Sequence, residues 1–139
     1  MVPGGFPATR QSFMALSGIE GRVALVTGAA RPRGIGRATA LRLAREGADV
    51  ACVDIGAPMS DFPSHEVAEP TDLETIVKEI ESMGRRAVGV RADVTDEAQV
   101  EAAVAAATEK LGNISLVANV VGGGSFGMGM GPLTFLPAD

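Results

Sequence analysis

The sequence predicts an α/β fold built on a doubly wound parallel sheet. Four short apolar runs alternate with three helical patterns, and this alternation is typical of βαβ units. The second and fourth runs are apolar on both faces, as expected of strands that helices cover on two sides. Aromatic residues make up only 4% of the chain, so the core must consist of small aliphatic side chains, which suits such a sheet.

Composition indicates one folded domain in the 139 residues, of which 46% are hydrophobic and 21% are charged. We expect this domain to span residues 18–139, after a flexible tail at residues 1–17 that lacks the apolar stretch of a secretory signal. The net charge of −5 argues against a nucleic-acid partner, which requires a basic surface. No apolar run is long enough to span a membrane, and the single cysteine cannot form an internal disulfide. These features favour a cytoplasmic protein.

The first half of the chain supplies two strands and one helix. The first strand is predicted at residues 22–27, and its helix at about 35–46 with Gly47 as the C-terminal cap. The second strand follows at residues 49–54. Residues 55–70 are rich in Pro, Ser and Gly and are longer than most connections between a strand and a helix, which predicts a surface excursion.

The second half supplies two more helices and two more strands. Thr71 and Glu74 have capping-box spacing, so a helix is predicted from there to Gly84. The third strand is predicted at about 86–92, and the fourth at 114–121, before a glycine-rich run. The helix between them carries apolar residues at helical spacing on the side that we expect to be buried: Val100, Ala103, Val104, Ala107 and Leu111.

Right-handed crossovers place the four strands in the order 3-2-1-4, with the topological switch point between strands 1 and 4. Ligands of such sheets bind in the crevice beyond the carboxyl ends of the strands at this point. Residues 28–36 and 119–124 are therefore expected on one rim. Strand 4 would be an apolar edge strand, which predicts that the isolated chain self-associates or is poorly soluble.

The turn between the first strand and its helix predicts a dinucleotide site. The first N–H groups of a helix lack partners within it and attract anions, and Gly28, Gly34 and Gly36 allow the backbone to approach a diphosphate closely. Asp54 ends the next strand 18 residues after Gly36, near the spacing of about 20 expected of a carboxylate that accepts from an adenosine ribose. The alternative is an ordinary turn with a solvated aspartate nearby.

These residues resemble the short-chain dehydrogenase/reductase family, whose members carry Thr-Gly, three residues, and then Gly-x-Gly. Here five residues separate Thr27-Gly28 from Gly34-Ile35-Gly36. Asp93-Val94 resembles the family's Asp-Val pair after strand 3, and Asn119 is the nearest match to a family asparagine after strand 4. The resemblance covers about residues 16–138 and is closest to subgroups with an insertion after strand 2. It implies a partial Rossmann-like domain with four strands and three helices.

The resemblance also implies hydride transfer between a nicotinamide cofactor and an alcohol or carbonyl substrate. Gly28, Gly34, Ile35 and Gly36 would hold the diphosphate, Asp54 the adenosine ribose, Asp93 and Val94 the adenine, and Asn119 the nicotinamide-side ribose. Asp54 favours NAD because its charge would repel the 2′-phosphate of NADP. Arg33 favours NADP, but an exposed attraction is weaker than a buried repulsion. We therefore predict NAD, with NADP less favoured.

The chain contains no tyrosine, whereas the family's chemistry uses a Tyr, a Lys four residues later and a Ser. No catalytic residue is therefore assigned. The resemblance implies the cofactor-binding half of a dehydrogenase, inactive alone, whose full-length parent forms homo-oligomers. The alternative is a non-catalytic module that binds a dinucleotide or a partner.

Other chemistries find less support in the sequence. Residues 123–127 match the G-x-S-x-G pattern of hydrolases, but no histidine follows Ser125 and no helix is predicted after it. His65 has acidic neighbours, yet a lone histidine in a polar segment is more often solvated than a metal ligand. We interpret Cys52, in the middle of a strand, as a core residue and predict no metal site.

Overall fold

The computed structural model describes residues 16–56 and 70–122. It contains β1 (Val23–Thr27), α1 (Ile35–Arg45), β2 (Asp49–Asp54), α2 (Pro70–Ser82), β3 (Ala87–Arg91), α3 (Glu97–Leu111) and β4 (Leu116–Asn119). All neighbouring strands are parallel, in the order β3-β2-β1-β4. The predicted α/β class and strand order are confirmed. Most of the predicted tail and excursion, His65 and the G-x-S-x-G segment lie outside the described residues.

Helices cover the sheet on both faces. The helices α1 and α2 pack on one face, where Val26, Val50 and Cys52 join Ile76 and Ile80 in a buried cluster. The helix α3 packs on the other face against β2 and β3. Every residue of β1 and β2 is buried, because these two central strands have helices above and below. None of the helices in the described ranges is long and apolar enough to cross a membrane.

The helices α2 and α3 begin in different ways: α2 begins with a proline, and α3 begins with a side-chain cap. The helix α2 begins at Pro70, so Thr71 lies inside its first turn and the predicted capping box at Thr71 is wrong. Proline is favoured at the first helical position because it has no N–H to leave unpaired there. In α3, by contrast, Asp96 is the N-cap, and its Oδ1 accepts from the backbone N–H groups of Ala98 and Gln99.

The buried side of α3 is narrower than its apolar pattern predicts. Ala103, Ala107 and Leu111 are buried, but Val100 and Val104 are 36% and 42% exposed. The prediction that these two valines belong to the core is wrong, because Ala103, Ala107 and Leu111 form the side of α3 that packs on the sheet. The small side chains of α3 face the sheet, and its two valines face an uncovered side.

The strand β4 forms one edge of the sheet within the described residues. Val117 is in register with Leu25, so it lies on the face of the sheet that α3 partly covers. Val117 is 62% exposed, and Val121, just beyond the strand, is 49% exposed. An apolar edge strand with unpaired N–H and C=O groups is a template for pairing with another chain.

We therefore predict that Val117→Lys lowers self-association of the chain. A lysine on an exposed edge strand opposes pairing because its charge would have to be desolvated in the new sheet. Light scattering of the wild-type chain should detect oligomers, and the substitution should shift the distribution towards monomer. Ser115→Lys, which adds the same charge before the strand, is the control. A wild-type chain that is a monodisperse monomer would contradict the prediction.

A charged cluster ties the amino-terminal end of β2 to β3 and α3. Asp49 is buried, and its Oδ1 and Oδ2 accept from the backbone N–H and the Nε of Arg86, both at 2.9 Å. Arg85 forms an ion pair with the same carboxylate at 3.0 Å. Arg86 also donates to the carbonyl oxygens of Lys110 and Leu111, which end α3. Burial raises the pKa of Asp49, but the hydrogen bonds from Arg86 and the charges of Arg85 and Arg86 outweigh it and hold that pKa below its usual value.

We predict that Asp49→Asn lowers the free energy of unfolding by about 2 kcal/mol at pH 7, as expected for lost hydrogen bonds to a charged group. Because the pKa of Asp49 is lowered by folding, its stabilisation is complete above the ordinary aspartate pKa of about 3.9. It is lost as the pH falls through the lower folded value. Urea unfolding should therefore give a constant difference between wild type and variant from about pH 5 to 7. At more acidic pH the difference should shrink.

The control is Glu109→Gln, which removes an exposed charge from α3. We expect it to change the free energy of unfolding by less than about 0.5 kcal/mol. An Asp49→Asn effect that is equally large at pH 3 would show that packing, and not the ionised carboxylate, stabilises this end of the sheet.

Candidate functional site

The loops that follow β1 and β4 lie side by side at the carboxyl end of the sheet. Thr27, the last residue of β1, is buried, and its Oγ1 accepts from the backbone N–H groups of Val120 and Val121 at 3.0 and 3.3 Å. This hydroxyl holds the chain leaving β4 against the end of β1. The two loops therefore share one rim as far as Gly122, where the described part of the second loop ends.

After Thr27 the chain turns across the end of β2. The backbone N–H groups of Gly28 and Ala29 donate to the carbonyl oxygen of Val53 at 2.8 and 3.3 Å. Gly28 has φ +68°, a backbone conformation that side-chain-bearing residues rarely adopt. A Cβ at Gly28 would also lie 3.3 Å from the backbone nitrogen of Val121. A residue without a side chain is therefore required at this turn.

The start of α1 is in direct contact with Gly28. A Cβ at Gly36 would lie 2.1 Å from the carbonyl oxygen of Gly28, so the helix can approach the strand end only with glycine at this position. Gly34 is the N-cap and provides no side-chain cap, and the first turn contains no acidic residue. The first N–H groups of α1 therefore face the rim without a side-chain acceptor from the cap and are suited to an anion. Beside them the Ile35 side chain is 76% exposed.

Five residues separate Gly28 from Gly34, two more than in the short-chain dehydrogenase pattern. A compact turn accommodates this longer loop. Ala29 and Ala30 are fully buried. The backbone N–H of Gly34 then donates to the carbonyl oxygen of Arg31 at 2.9 Å and closes a four-residue turn. Arg31, Pro32 and Arg33 are exposed on this turn. The additional length thus projects outward, and Gly28 and Gly36 keep their contact.

Asp54 lies at the end of β2, beside the glycine loop. Its side chain is buried, with the residue only 7% exposed. Its Oδ2 accepts from the backbone N–H of Ala30 at 3.0 Å, and its Oδ1 accepts from the N–H of Gly56 at 3.2 Å. Sequence reasoning identified Asp54 from its spacing but missed the bond to Ala30, because that contact joins two loops that no local pattern relates.

The turn after β3 carries Asp93 and Val94. Oδ1 of Asp93 accepts from the backbone N–H and the hydroxyl of Thr95 at 2.9 and 2.7 Å, and these bonds hold the pKa of Asp93 below its usual value. Gln99 fixes the same turn, since its Oε1 accepts from the backbone N–H of Asp93 at 3.0 Å while its Nε2 donates to Asp96. Sequence reasoning missed Gln99. Its position three residues after the N-cap of α3 has capping-box spacing and could have identified it.

The remaining sequence-predicted residues occupy different parts of this end of the sheet. Asn119, the last residue of β4, is exposed and in register with Thr27. Cys52 lies below the site in the core, where burial raises its thiol pKa to about 12, so it is an inert packing residue at neutral pH. Among the described residues, no group of three His, Cys, Asp or Glu side chains could bind a metal.

Comparison with known proteins agrees with this geometry. The family model described as short chain dehydrogenase matches residues 22–136, which is most of the chain. The chain belongs to the short-chain dehydrogenase family. Because the match begins before β1 and extends beyond β4, every described strand and helix of the protein falls within it.

Several individual short-chain dehydrogenases are similar to this chain. An uncharacterized NAD-dependent oxidoreductase of Mycobacterium tuberculosis is 40% identical over 111 residues, which cover 80% of this chain and 39% of the relative. Cyclohexanol dehydrogenase of a Rhodococcus species is 44% identical over 107 residues, covering 76% and 38%. The crystal structure of carveol dehydrogenase from Mycobacterium avium in complex with NAD matches with a TM-score of 0.65 and 36% identity, covering 70% and 34%. The chain therefore spans between 34% and 39% of the length of these relatives.

We predict that Gly36→Ala destabilises this domain by about 3 kcal/mol or more, because its Cβ would meet backbone atoms of Gly28 that cannot rotate away. Chemical denaturation measures the change. The control is Gly122→Ala, whose Cβ would meet nothing closer than 3.9 Å among residues 16–56 and 70–122. A Gly36→Ala chain as stable as the control would mean that α1 moves away from β1 at little cost.

Proposed function

We propose that the crevice between the loops after β1 and β4 binds NAD, and that the chain is the cofactor-binding part of an NAD-dependent dehydrogenase that acts on an alcohol or carbonyl substrate. The contact between Gly36 and Gly28 carries this proposal, since it brings the N-terminus of α1 against the end of β1. Asp54 lies at the end of the neighbouring strand. The similar carveol dehydrogenase, whose structure contains NAD, supports the choice of cofactor.

The start of α1 fits a diphosphate. Its first N–H groups and the positive end of its dipole attract phosphate oxygens, and the first turn contains no acidic residue to repel them. Gly28, Gly34 and Gly36 leave room for the ligand beside the backbone. The exposed Arg33 adds a positive charge near this position. Ile35 offers an apolar surface beside the same turn.

The adenosine part of NAD fits the ends of β2 and β3. Each oxygen of Asp54 accepts one backbone N–H, so each has a further lone pair for a ribose hydroxyl. The negative charge would repel a 2′-phosphate, which favours NAD over NADP. Both Thr95 bonds use Oδ1 of Asp93, which leaves Oδ2 for the amino group of adenine, with Val94 beside it. We assign Asn119 to the nicotinamide-side ribose.

Bound NAD would supply the nicotinamide ring that exchanges a hydride with the substrate. The 139 residues contain no tyrosine, so the family's tyrosine acid–base group is not among them. We therefore propose that this chain binds the cofactor but does not turn over an alcohol by itself. The single cysteine, buried as a thiol, is consistent with a reducing, cytoplasmic setting. A non-catalytic dinucleotide-binding module is the second candidate, and the absence of tyrosine is what favours it.

Calorimetric titration of the full chain with NAD, NADH and NADP tests this proposal. We expect NAD to bind at least about tenfold more tightly than NADP, a difference of about 1.4 kcal/mol. Asp93→Ala should weaken NAD binding by about tenfold to a hundredfold, as expected for the loss of one hydrogen bond to a charged acceptor. Glu109→Gln, on α3 and outside the crevice, is the matched control and should leave the affinity unchanged.

A folded chain that binds none of the three dinucleotides would overturn the proposed cofactor site. Incubation with NAD and cyclohexanol, followed by absorbance of NADH, tests turnover. We expect none. Measurable turnover would show that another group replaces the tyrosine and would contradict the proposed lack of activity.

A further inference from the structure

We propose that Asp54 has a second role in cofactor recognition: its carboxylate anchors the expanded glycine loop, so that one side chain sets both the shape of the diphosphate site and the selection of the ribose. The part that concerns cofactor affinity rests on the proposed function. The anchoring itself rests on the contacts of the loop alone.

The expanded loop has to accommodate its length without displacing α1. Gly36 holds the start of α1 against Gly28. A shift of this helix therefore does not make room for the residues between the two glycines. The chain first turns across β2, where the carbonyl oxygen of Val53 accepts from the N–H groups of Gly28 and Ala29. The next N–H, that of Ala30, is bonded to Asp54. The exposed turn that ends at Gly34 begins immediately afterwards.

The Ala30 N–H needs a hydrogen-bond acceptor, and the Asp54 carboxylate supplies it. Ala30 is fully buried, and an unpaired N–H in a buried position is costly. The nearby carbonyl oxygen of Val53 already accepts from two N–H groups. The carboxylate thus supplies an acceptor that the backbone at this point does not. It thereby fixes where the turn to Gly34, the N-cap of α1, departs from β2.

The second oxygen restricts the carboxylate further. Oδ1 accepts from the N–H of Gly56, in the chain leaving β2, while Oδ2 accepts from Ala30. Rotation of the side chain away from an approaching ligand would break one of these bonds. The Asp54 carboxylate therefore could not move away from a 2′-phosphate without losing a hydrogen bond, and its charge would repel that phosphate. Conversely, removal of that charge would also release the loop that positions the diphosphate.

The affinities of Asp54 variants for NAD and NADP distinguish the two roles from a ribose contact alone. If Asp54 only selects the ribose, Asp54→Asn should weaken NAD binding and strengthen NADP binding. If Asp54 also anchors the loop, Asp54→Asn and Asp54→Ala should weaken the binding of both dinucleotides. We expect the affinity for NAD to fall by more than about tenfold and that for NADP to fall less, because loss of the charge also removes the repulsion of the 2′-phosphate.

Amide hydrogen exchange in the cofactor-free full chain tests the anchor directly. We expect the Ala30 amide to exchange at least about tenfold faster in Asp54→Ala than in wild type, and in Asp54→Asn to a smaller extent, because asparagine retains one acceptor oxygen. The Ala51 amide, in the middle of β2, reports whether the fold is intact and should keep its protection. If Asp54→Ala unfolds, the near-isosteric Asp54→Asn variant provides the measurement.

Unchanged protection of the Ala30 amide in a folded Asp54→Ala chain would overturn the anchor, as would unchanged protection of both the Ala30 and the Gly56 amides in Asp54→Asn, whose one oxygen can serve only one of them. A gain in NADP affinity accompanied by a loss of NAD affinity would overturn the dual role and leave Asp54 as a ribose selector. The exchange measurement requires no cofactor. A chain that failed to bind NAD would therefore refute the proposed function, while the Ala30 result would still decide the anchor.

Discussion

The close backbone contact between the start of α1 and the end of β1 is the constraint on which this structure depends. It requires glycine at position 36, where a Cβ would lie 2.1 Å from the Gly28 carbonyl oxygen, and it fixes the direction of α1 across the sheet. Between Gly28 and Gly36 the loop projects outward as the exposed turn that carries Arg33. The N-terminus of α1 then remains at the rim, where the loop leaving β4 is held by Thr27. Fold and site are thus coupled through one packing contact.

Three buried polar side chains mark the ends of the two central strands. Thr27, Asp49 and Asp54 are 8%, 5% and 7% exposed, and each of them accepts at least one backbone N–H from a neighbouring segment. They replace the backbone partners that a parallel strand loses where its neighbours diverge. The central strands are otherwise apolar, so these side chains determine how the loops leave the sheet. Val100 and Val104 are the opposite case. They are apolar but exposed, because they lie on a side of α3 that is left uncovered.

Much of the fold follows from the sequence, because it depends on local patterns. Apolar runs, glycines and caps predict the seven elements, and the right-handed crossover rule predicts the strand order. The errors arise where a neighbour decides the outcome. Val100 and Val104 have helical spacing, but their burial depends on which strands α3 reaches. Likewise the spacing of Asp54 predicts a ligand, whereas its bond to Ala30 depends on how two loops meet. Gln99 is a local case that the pattern could have identified, because its bond to the Asp93 N–H spans only six residues.

The two buried carboxylates of β2 have different partners: Asp49 at one end of the strand is paired with cations, and Asp54 at the other end, for which we propose a role in recognition, accepts from backbone N–H groups. Asp49 faces Arg85 and Arg86, and both charges neutralise it. Asp54 has no ion pair within the described residues and is held by two backbone N–H groups. A buried charge without a cation is expensive to retain for stability alone, since desolvation opposes it. Its placement beside the start of α1 gives a reason to retain it. A carboxylate that accepts from two backbone N–H groups still has spare lone pairs for a ligand with hydroxyl groups.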